Sequence, residues 1–566
     1  MTGDEPVPRL TTSGRPVLDR LDCALINTTI GRNAVFTRSN MRTAIALWFA
    51  ASIAPPLFAQ PSNPTTACAE LTRLTLPNTT ITLAQQVEAG AFVPPPGPTP
   101  PPRPDTPAPP QATVAPIYRE LPAFCRVAAT LRPSSDSDIK IEVWLPAAGW
   151  NGKFQAVGNG GWAGVISYGG ARGLASALRS GYATASTDTG HTGTGDDSSF
   201  AMNHPEKLID FGYRAVHEMT VQAKAIIAAY YGNAPRLSYW NGCSTGGRQG
   251  LMEAQRYPAD FDGIIAGAPA NYMTRLLAHS LWVGHATLKD PASYIPREKY
   301  PMVHSAVVNA CDAQDGVKDG VLEDPARCTF DPKALQCGAT ENGDCLSAPQ
   351  VEAVRTIYAT AKNPRTGEKI FPGLAMGSEL GWGALAGGPN AFAIADSNFK
   401  YVVFKNPHWD FKTFDFDRDI VAGEKAYSGA IDAIDPDLRP FFSRGGKLLM
   451  YHGWNDQLIA PENSIDYYTS VARAVGGVEK VSDSMRLFMA PGMGHCAGGE
   501  GPSTFDVVAA LDTWMDLKRA PERIEASRLT KGVVDRTRPL CPYPAVAQYK
   551  GSGSTDDAAN FVCRVK

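Results

Sequence analysis

The sequence predicts an α/β fold, and three observations carry that expectation. From about residue 138, short apolar strands alternate with helical segments: IKIEVWLP, GKFQAVGNGG, GYATASTD, a helix-period stretch around Tyr213 to Tyr230, then RLSYWNG. The rhythm is lost after DFDGIIAGAPA, near Ala270, and returns at GGKLLMYHGWND (445 to 456) and MRLFMAPGMGHC (485 to 496). At 566 residues the chain suits either several units or one large α/β unit carrying an insertion. Strands alternating with helices imply a mostly parallel sheet covered on both faces. Residues 60–270 and 445–566 are read as two parts of one core. Residues 271–444, rich in Cys, Gly, Trp and Phe, are far too long for a plain connection and read as an inserted domain.

Composition narrows the function classes. Hydrophobic residues make up 43% and charged residues 19%, and 53 basic against 56 acidic side chains leave a formal charge of -3. Such a chain is neither disordered nor collagen-like, and it lacks the net positive charge of a nucleic-acid-binding surface. Generous Gly (53) and Pro (46) fit a loop-rich protein. The run from Met41 to Gln60, MRTAIALWFAASIAPPLFAQ, reads as a signal peptide over residues 41–59, with Arg42 before the apolar stretch and Ala59 before Gln60. It is too short and too Pro-broken to span a bilayer, and no later stretch reaches the roughly 20 apolar residues a span needs. The expected start is therefore Met41, with residues 1–40 an upstream extension of the reading frame and the mature protein secreted or periplasmic. Of eleven Cys, only Cys23 lies upstream, so ten remain, an even number suited to an oxidising compartment. No CxxC pair supports a zinc site. The sequence leaves the pairing open, although Cys311/Cys328, Cys337/Cys345 and Cys541/Cys563 are near neighbours, and Cys68 and Cys125 flank the Pro-rich loop 94–110.

The candidate chemistry centres on YWNGCSTGGRQG. Gly242, Cys243, Ser244, Thr245 and Gly246 form G-x-S-x-G between a strand and a helix, the setting in which a tight turn lifts a serine hydroxyl above a sheet. An ordinary Gly-rich helix start is the competing reading. A serine needs a base, and the base a carboxylate to hold its tautomer. The order Ser, acid, His puts these on the two returning strands, at Asp456 and His495. His452 and Asp466 are the competing His and Asp. Cys243 precedes the candidate nucleophile and Cys496 follows the candidate base, so a disulfide between them is possible if Ser244 and His495 meet. Developing negative charge on a carbonyl oxygen needs N–H donors. Thr245 supplies one, and the FQAVGNGGWAG loop a second, at Gly161 with Gly160 as fallback. In CDAQDGVKDGVLED, the carboxylates of Asp312, Asp315 and Asp319 and the carbonyls of Val317 and Val321 suit a structural Ca²⁺, against the alternative of a solvated acidic turn. No organic cofactor is implied.

Taken together, GCSTGG, HGWND, GMGHC, the acidic CDAQDGVKDG loop and RPLCPYP resemble the tannase and feruloyl esterase family of secreted serine esterases, over about Cys68 to Cys563. The resemblance implies an α/β-hydrolase core with a large inserted lid domain that binds Ca²⁺. It also implies the triad Ser244, Asp456 and His495 with oxyanion donors at Gly161 and Thr245. Five disulfides are implied: Cys68/Cys125, Cys243/Cys496, Cys311/Cys328, Cys337/Cys345 and Cys541/Cys563. The implied substrate is a small aromatic ester, of a tannin, feruloyl or chlorogenate type or of mono(2-hydroxyethyl) terephthalate. In the lid, NAFAIADSNFKYVVFKNPHWDF offers Phe392, Phe399, Tyr401, Phe404 and Trp409 for stacking on an aryl ring, or for the lid's own core. That segment has no Arg to grip a carboxylate, which favours a neutral phenolic acyl group over a terephthalate. A catalytically silent binding protein and a peptidase on the same fold are the other readings.

Overall fold

The structure, a computed structural model, describes residues 63–97, 115–338 and 343–565. The signal-peptide reading, the upstream extension and most of the Pro-rich loop fall outside those residues. Among the described residues, no helix is long and apolar enough to cross a membrane.

The strands, in chain order, are β1 (Thr79–Val87), β2 (Phe124–Leu131), β3 (Ile139–Pro146), β4 (Lys153–Val157), β5 (Ala183–Thr187), β6 (Leu237–Cys243), β7 (Gly263–Gly267), β8 (Ala361–Lys362), β9 (Lys369–Phe371), β10 (Lys447–Gly453), β11 (Met485–Ala490), β12 (Ile524–Thr530), β13 (Val533–Leu540), β14 (Ala545–Tyr549) and β15 (Phe561–Val565). Nine of them form one sheet in the order β1-β2-β3-β5-β4-β6-β7-β10-β11. The α/β expectation holds, and the sheet is mostly parallel as expected, with an antiparallel edge that the sequence did not announce. Strands β1, β2, β3 and β5 pair antiparallel, and the parallel ladder runs from β5 through β4, β6, β7 and β10 to β11. The short connection 132–138 allows a hairpin, whereas parallel neighbours need helical crossovers.

Strands β4, β5 and β7 are buried at every position, as strands covered on both faces must be. On one face Val127, Val143 and Met450 pack with Ile226 and Ile227 of the helix Ala215–Tyr231 and with Val471 of the helix Glu462–Val475. On the other, Tyr239, Ile265 and Leu449 meet Leu511 and Trp514 of the helix Val507–Leu517.

Between β7 and β10, which are paired neighbours, the chain makes its long excursion. The helices Met273–Leu288, Tyr300–Cys311 and Ala348–Tyr358 bury Leu277, Leu281, Val303 and Val354 together with Trp382, and Trp162 and Phe211 from the first half of the chain join that cluster. Polar ties reinforce the contact. Arg248, fully buried on the helix Thr245–Arg256, donates to the carbonyls of Gly212 and of Ile431 in the excursion. His304 bridges Glu379 (2.7 Å) within the excursion to Glu500 (2.8 Å), five residues beyond His495.

Burial alone would lower the His304 imidazole, but hydrogen bonds to Glu379 and Glu500 outweigh it and push it up to about 9. The free imidazole in an unfolded chain titrates near 6.5, so the charged bridge contributes fully below about 6.5 and is lost as pH rises through about 9. The thermal midpoint of wild type should therefore exceed that of His304→Gln by the most at low pH, with the gap closing toward pH 9 and above. A gap independent of pH would mean that no protonated bridge is present.

Candidate active site

The turn after β6 puts Ser244 at φ 63°, ψ -124°, a backbone conformation that costs energy for any residue with a side chain. The turn is held from both sides: the Ser244 N–H donates to the Gly267 carbonyl (3.0 Å), and the Ala270 N–H to the Ser244 carbonyl (3.1 Å). Gly242 is required by close approach, because a Cβ there would lie 2.4 Å from the Gly246 carbonyl oxygen. The helix then begins at Thr245, whose N–H is among the first amides of that helix, which have no partner within it.

The loop after β4 is stitched to this elbow. The Thr245 hydroxyl donates to the Gly161 carbonyl (2.6 Å), and the Gly246 N–H to the Asn159 carbonyl (2.8 Å). Gln249 and Asn159 exchange two further hydrogen bonds, and Asn159 Nδ2 reaches the Val165 and Thr187 carbonyls. Gly161 sits at φ 52°, and a Cβ there would lie 2.1 Å from the Gly195 carbonyl oxygen, so only glycine fits. Asn159 and Gln249 were not singled out from sequence. Their signal is present in GNGG and GGRQG, each polar side chain lying within a glycine run that ought to need none.

Asp456 follows β10 and is completely buried. Its Oδ1 accepts the N–H groups of Leu458 (2.8 Å) and Ile459 (2.9 Å), and its Oδ2 accepts His495 Nδ1 (2.7 Å) and His452 Nε2 (3.0 Å). Burial alone would raise this carboxyl, but the two imidazoles and their hydrogen bonds hold it well below the usual carboxylate range. His452, set aside from sequence in favour of His495, is thus a second partner of the same carboxylate. Asp466 lies elsewhere, paired with Lys369.

Cys243 and Cys496 are joined, with Cα atoms 6.0 Å apart. The other four bonds are Cys68–Cys125, Cys311–Cys328, Cys337–Cys345 and Cys541–Cys563, the pairing the resemblance implied. Ser244, His495, Gly161 and Thr245 all line one cavity of about 40 Å³. Its remaining wall is apolar, from Met273, Leu276, Leu277, Phe392, Ile394 and Leu458, with Ser280 as a neutral polar side chain.

Among the five aromatic residues expected near the substrate, only Phe392 lines this cavity. Phe399, Phe404 and Trp409 stack on one another at centroid distances of 5.2 to 6.1 Å, and Phe399 also packs on Phe414. Burying each ring against another satisfies the excursion's own core, the alternative the sequence left open. Tyr401 is half-buried and does not line the cavity.

The acidic loop offers only oxygen donors. Asp312 and Asp315 border a space of about 10 Å³ with Glu323, Asp324 and one basic side chain, Arg327, room on the scale of a single ion. All four of these carboxyl groups belong to buried or half-buried residues, an accumulation of acidic groups that a hard cation would relieve. Asp319 also meets Arg536 and Arg538 of β13 through its Oδ2, which ties the loop to the C-terminal strands. Among the described residues, the metal-capable groups gathered within 4.8 Å are His217, Glu253 and Asp260, and not this loop. There the chain's own Lys224 reaches the Asp260 carbonyl and supplies positive charge.

Comparison with known proteins agrees with the geometry. Residues 125–564 match the family described as tannase and feruloyl esterase. An uncharacterized esterase of Xanthomonas campestris pv. campestris is 40% identical over 88% of this chain and 91% of its own. A probable feruloyl esterase B-2 of Aspergillus terreus is 35% identical over 78% of this chain and 86% of its own. The crystal structure of feruloyl esterase B from Aspergillus oryzae superposes with a TM-score of 0.78 at 31% identity, covering 88% of this chain and all of that one. Tannin acyl hydrolase from Aspergillus niger, at 22% identity and a TM-score of 0.71, shares the fold. The chain belongs to the tannase and feruloyl esterase family and is a carboxylic ester hydrolase.

Proposed function

We propose that the protein hydrolyses esters of neutral aromatic acids, of the hydroxycinnamic or hydroxybenzoic kind, through an acyl-enzyme. The observation that carries this reading is a single cavity bordered by Ser244, His495, Gly161 and Thr245, with His495 held on Asp456. His495 Nε2 takes the Ser244 proton as Oγ attacks the ester carbonyl. The oxyanion rests on the Gly161 and Thr245 N–H groups, each worth about 3 to 4 kcal/mol in such sites. His495 then gives the proton to the departing alcohol, and water repeats the sequence to release the acid. Asp456 stays ionised throughout, since four donors meet its two oxygens.

The cavity wall supports the choice of acyl group. Phe392 and the aliphatic side chains suit an aryl ring, and Ser280 suits a phenolic substituent. Among the described residues, no Arg or Lys lines the cavity, so the free carboxylate of a terephthalate monoester would be buried without a partner. The names of the relatives, feruloyl esterase B among them, point the same way. The excursion from 271 to 444 serves as a lid that supplies Met273, Leu276, Leu277 and Phe392. The five disulfides support secretion or a periplasmic location.

In the lid, Asp312, Asp315 and Asp319 with the carbonyls of Val317 and Val321 would hold Ca²⁺, which would neutralise the loop and take no part in the reaction. Chelation should lower the thermal midpoint, and Ca²⁺ but not Mg²⁺ should restore it; a midpoint indifferent to both treatments would remove the ion from this account. The catalytic reading is tested by kcat/KM on gallate, ferulate, chlorogenate and terephthalate monoesters. The neutral phenolic esters should exceed the terephthalate by roughly 100-fold, the cost of burying an unpaired charge. Ser244→Ala should lose kcat by roughly 10⁴-fold or more. Undiminished turnover in that variant would dismiss the serine mechanism, and preference for terephthalate would dismiss the neutral acyl group.

A further inference from the structure

The carboxylate proposed to orient the base is shared. His452, fully buried at the end of β10, presents Nε2 to Asp456 Oδ2 (3.0 Å) and to the Ile459 carbonyl (3.0 Å). Both are acceptors without a proton to give, so Nε2 carries the hydrogen and serves both. Nδ1 lies 2.7 Å from Ser464 Oγ, whose hydroxyl donates to it. This arrangement satisfies a neutral imidazole at both nitrogens, in a place where a further buried charge would be costly.

We propose that His452 is a positioning residue for the proposed hydrolysis: its Nε2–H fixes the Asp456 carboxylate and withdraws negative charge from the oxygen that His495 uses. The proposal rests on the esterase reading above and deepens it. A triad needs one imidazole on its carboxylate. Here a second donor saturates Oδ2 while two backbone N–H groups saturate Oδ1, which leaves the carboxylate no alternative rotamer. Loss of this donor would return negative charge to the oxygen that faces His495. The other titratable groups close by are Arg172, which donates to Cys496 O (3.1 Å) and to Tyr451 Oη (3.2 Å), and Tyr451 itself. Neither contacts Asp456.

Two variants separate this role from a purely structural one. In His452→Gln the amide nitrogen falls where Nε2 lies and can still donate to Asp456; in His452→Asn it falls where Nδ1 lies, near Ser464, and cannot. The readouts are the pH profile of kcat/KM on a p-nitrophenyl aryl ester and the thermal midpoint, with Ser244→Ala as control. The acid limb should move up by about half a pH unit in the Asn variant, with kcat falling more than KM changes, and should stay in place in the Gln variant. Limbs that coincide in all three proteins, with Ser244→Ala inert, would overturn the role of His452 and leave the esterase reading standing. Turnover by Ser244→Ala would bring down both. Where the Asn chain fails to fold, the Gln chain decides alone: an unmoved limb with kcat near wild type supports the role, and a moved limb overturns it.

Discussion

The covalent bond between Cys243 and Cys496 is the constraint on which the rest of the site depends. In the sheet order β6-β7-β10-β11, the strand that delivers Ser244 and the strand that precedes His495 are three steps apart. At about 4.8 Å per step, their ends lie roughly 14 Å from each other. The loop after β11 must therefore reach back over β10 and β7 to bring an imidazole to the elbow. The bond, closing a separation of 253 residues with Cα atoms 6.0 Å apart, holds that reach in place. Its entropic effect on the unfolded chain is large for so long a loop, on the order of 5 kcal/mol. The local effect matters more for chemistry, since displacement of a catalytic group by about 1 Å can cost a factor of 100.

Around that bond the structure supplies rigidity by other means. The elbow is pinned by its own backbone to β7 and by Thr245 and Gln249 to the loop that holds Gly161. Asp456 is saturated by donors, and the loop of His495 is tied to the excursion through Glu500 and His304. Arg248 adds an anchor of a different kind, a buried guanidinium hydrogen-bonded to carbonyls, from the elbow helix to Ile431.

The sequence carried what is local or doubly marked. The elbow is legible because strand, glycines and helix are contiguous, and His495 because it follows a late returning strand and has beside it a cysteine to match the one beside Ser244. What depends on side-chain direction was not legible. Phe399, Phe404 and Trp409 have the composition of a binding wall, yet packing turned them onto each other, and only Phe392 faces the cavity. His452 looked like a strand residue because its position in β10 says nothing about a carboxylate four residues on. The antiparallel edge was missed because β2 and β3 are buried at most positions, as the parallel strands are, so their apolar character does not record strand direction. The contribution of Asp319 to an ion pair with Arg536 and Arg538 joins segments far apart in the chain, which no local pattern records.

The most direct measurement is activity in the double variant Cys243→Ser, Cys496→Ser, followed together with its thermal midpoint and near-ultraviolet circular dichroism. A protein that keeps its folded signature while kcat/KM falls by roughly 100-fold is the expected result. A folded double variant with wild-type kcat/KM would contradict the account, because it would mean that the serine and the imidazole find each other without the bridge.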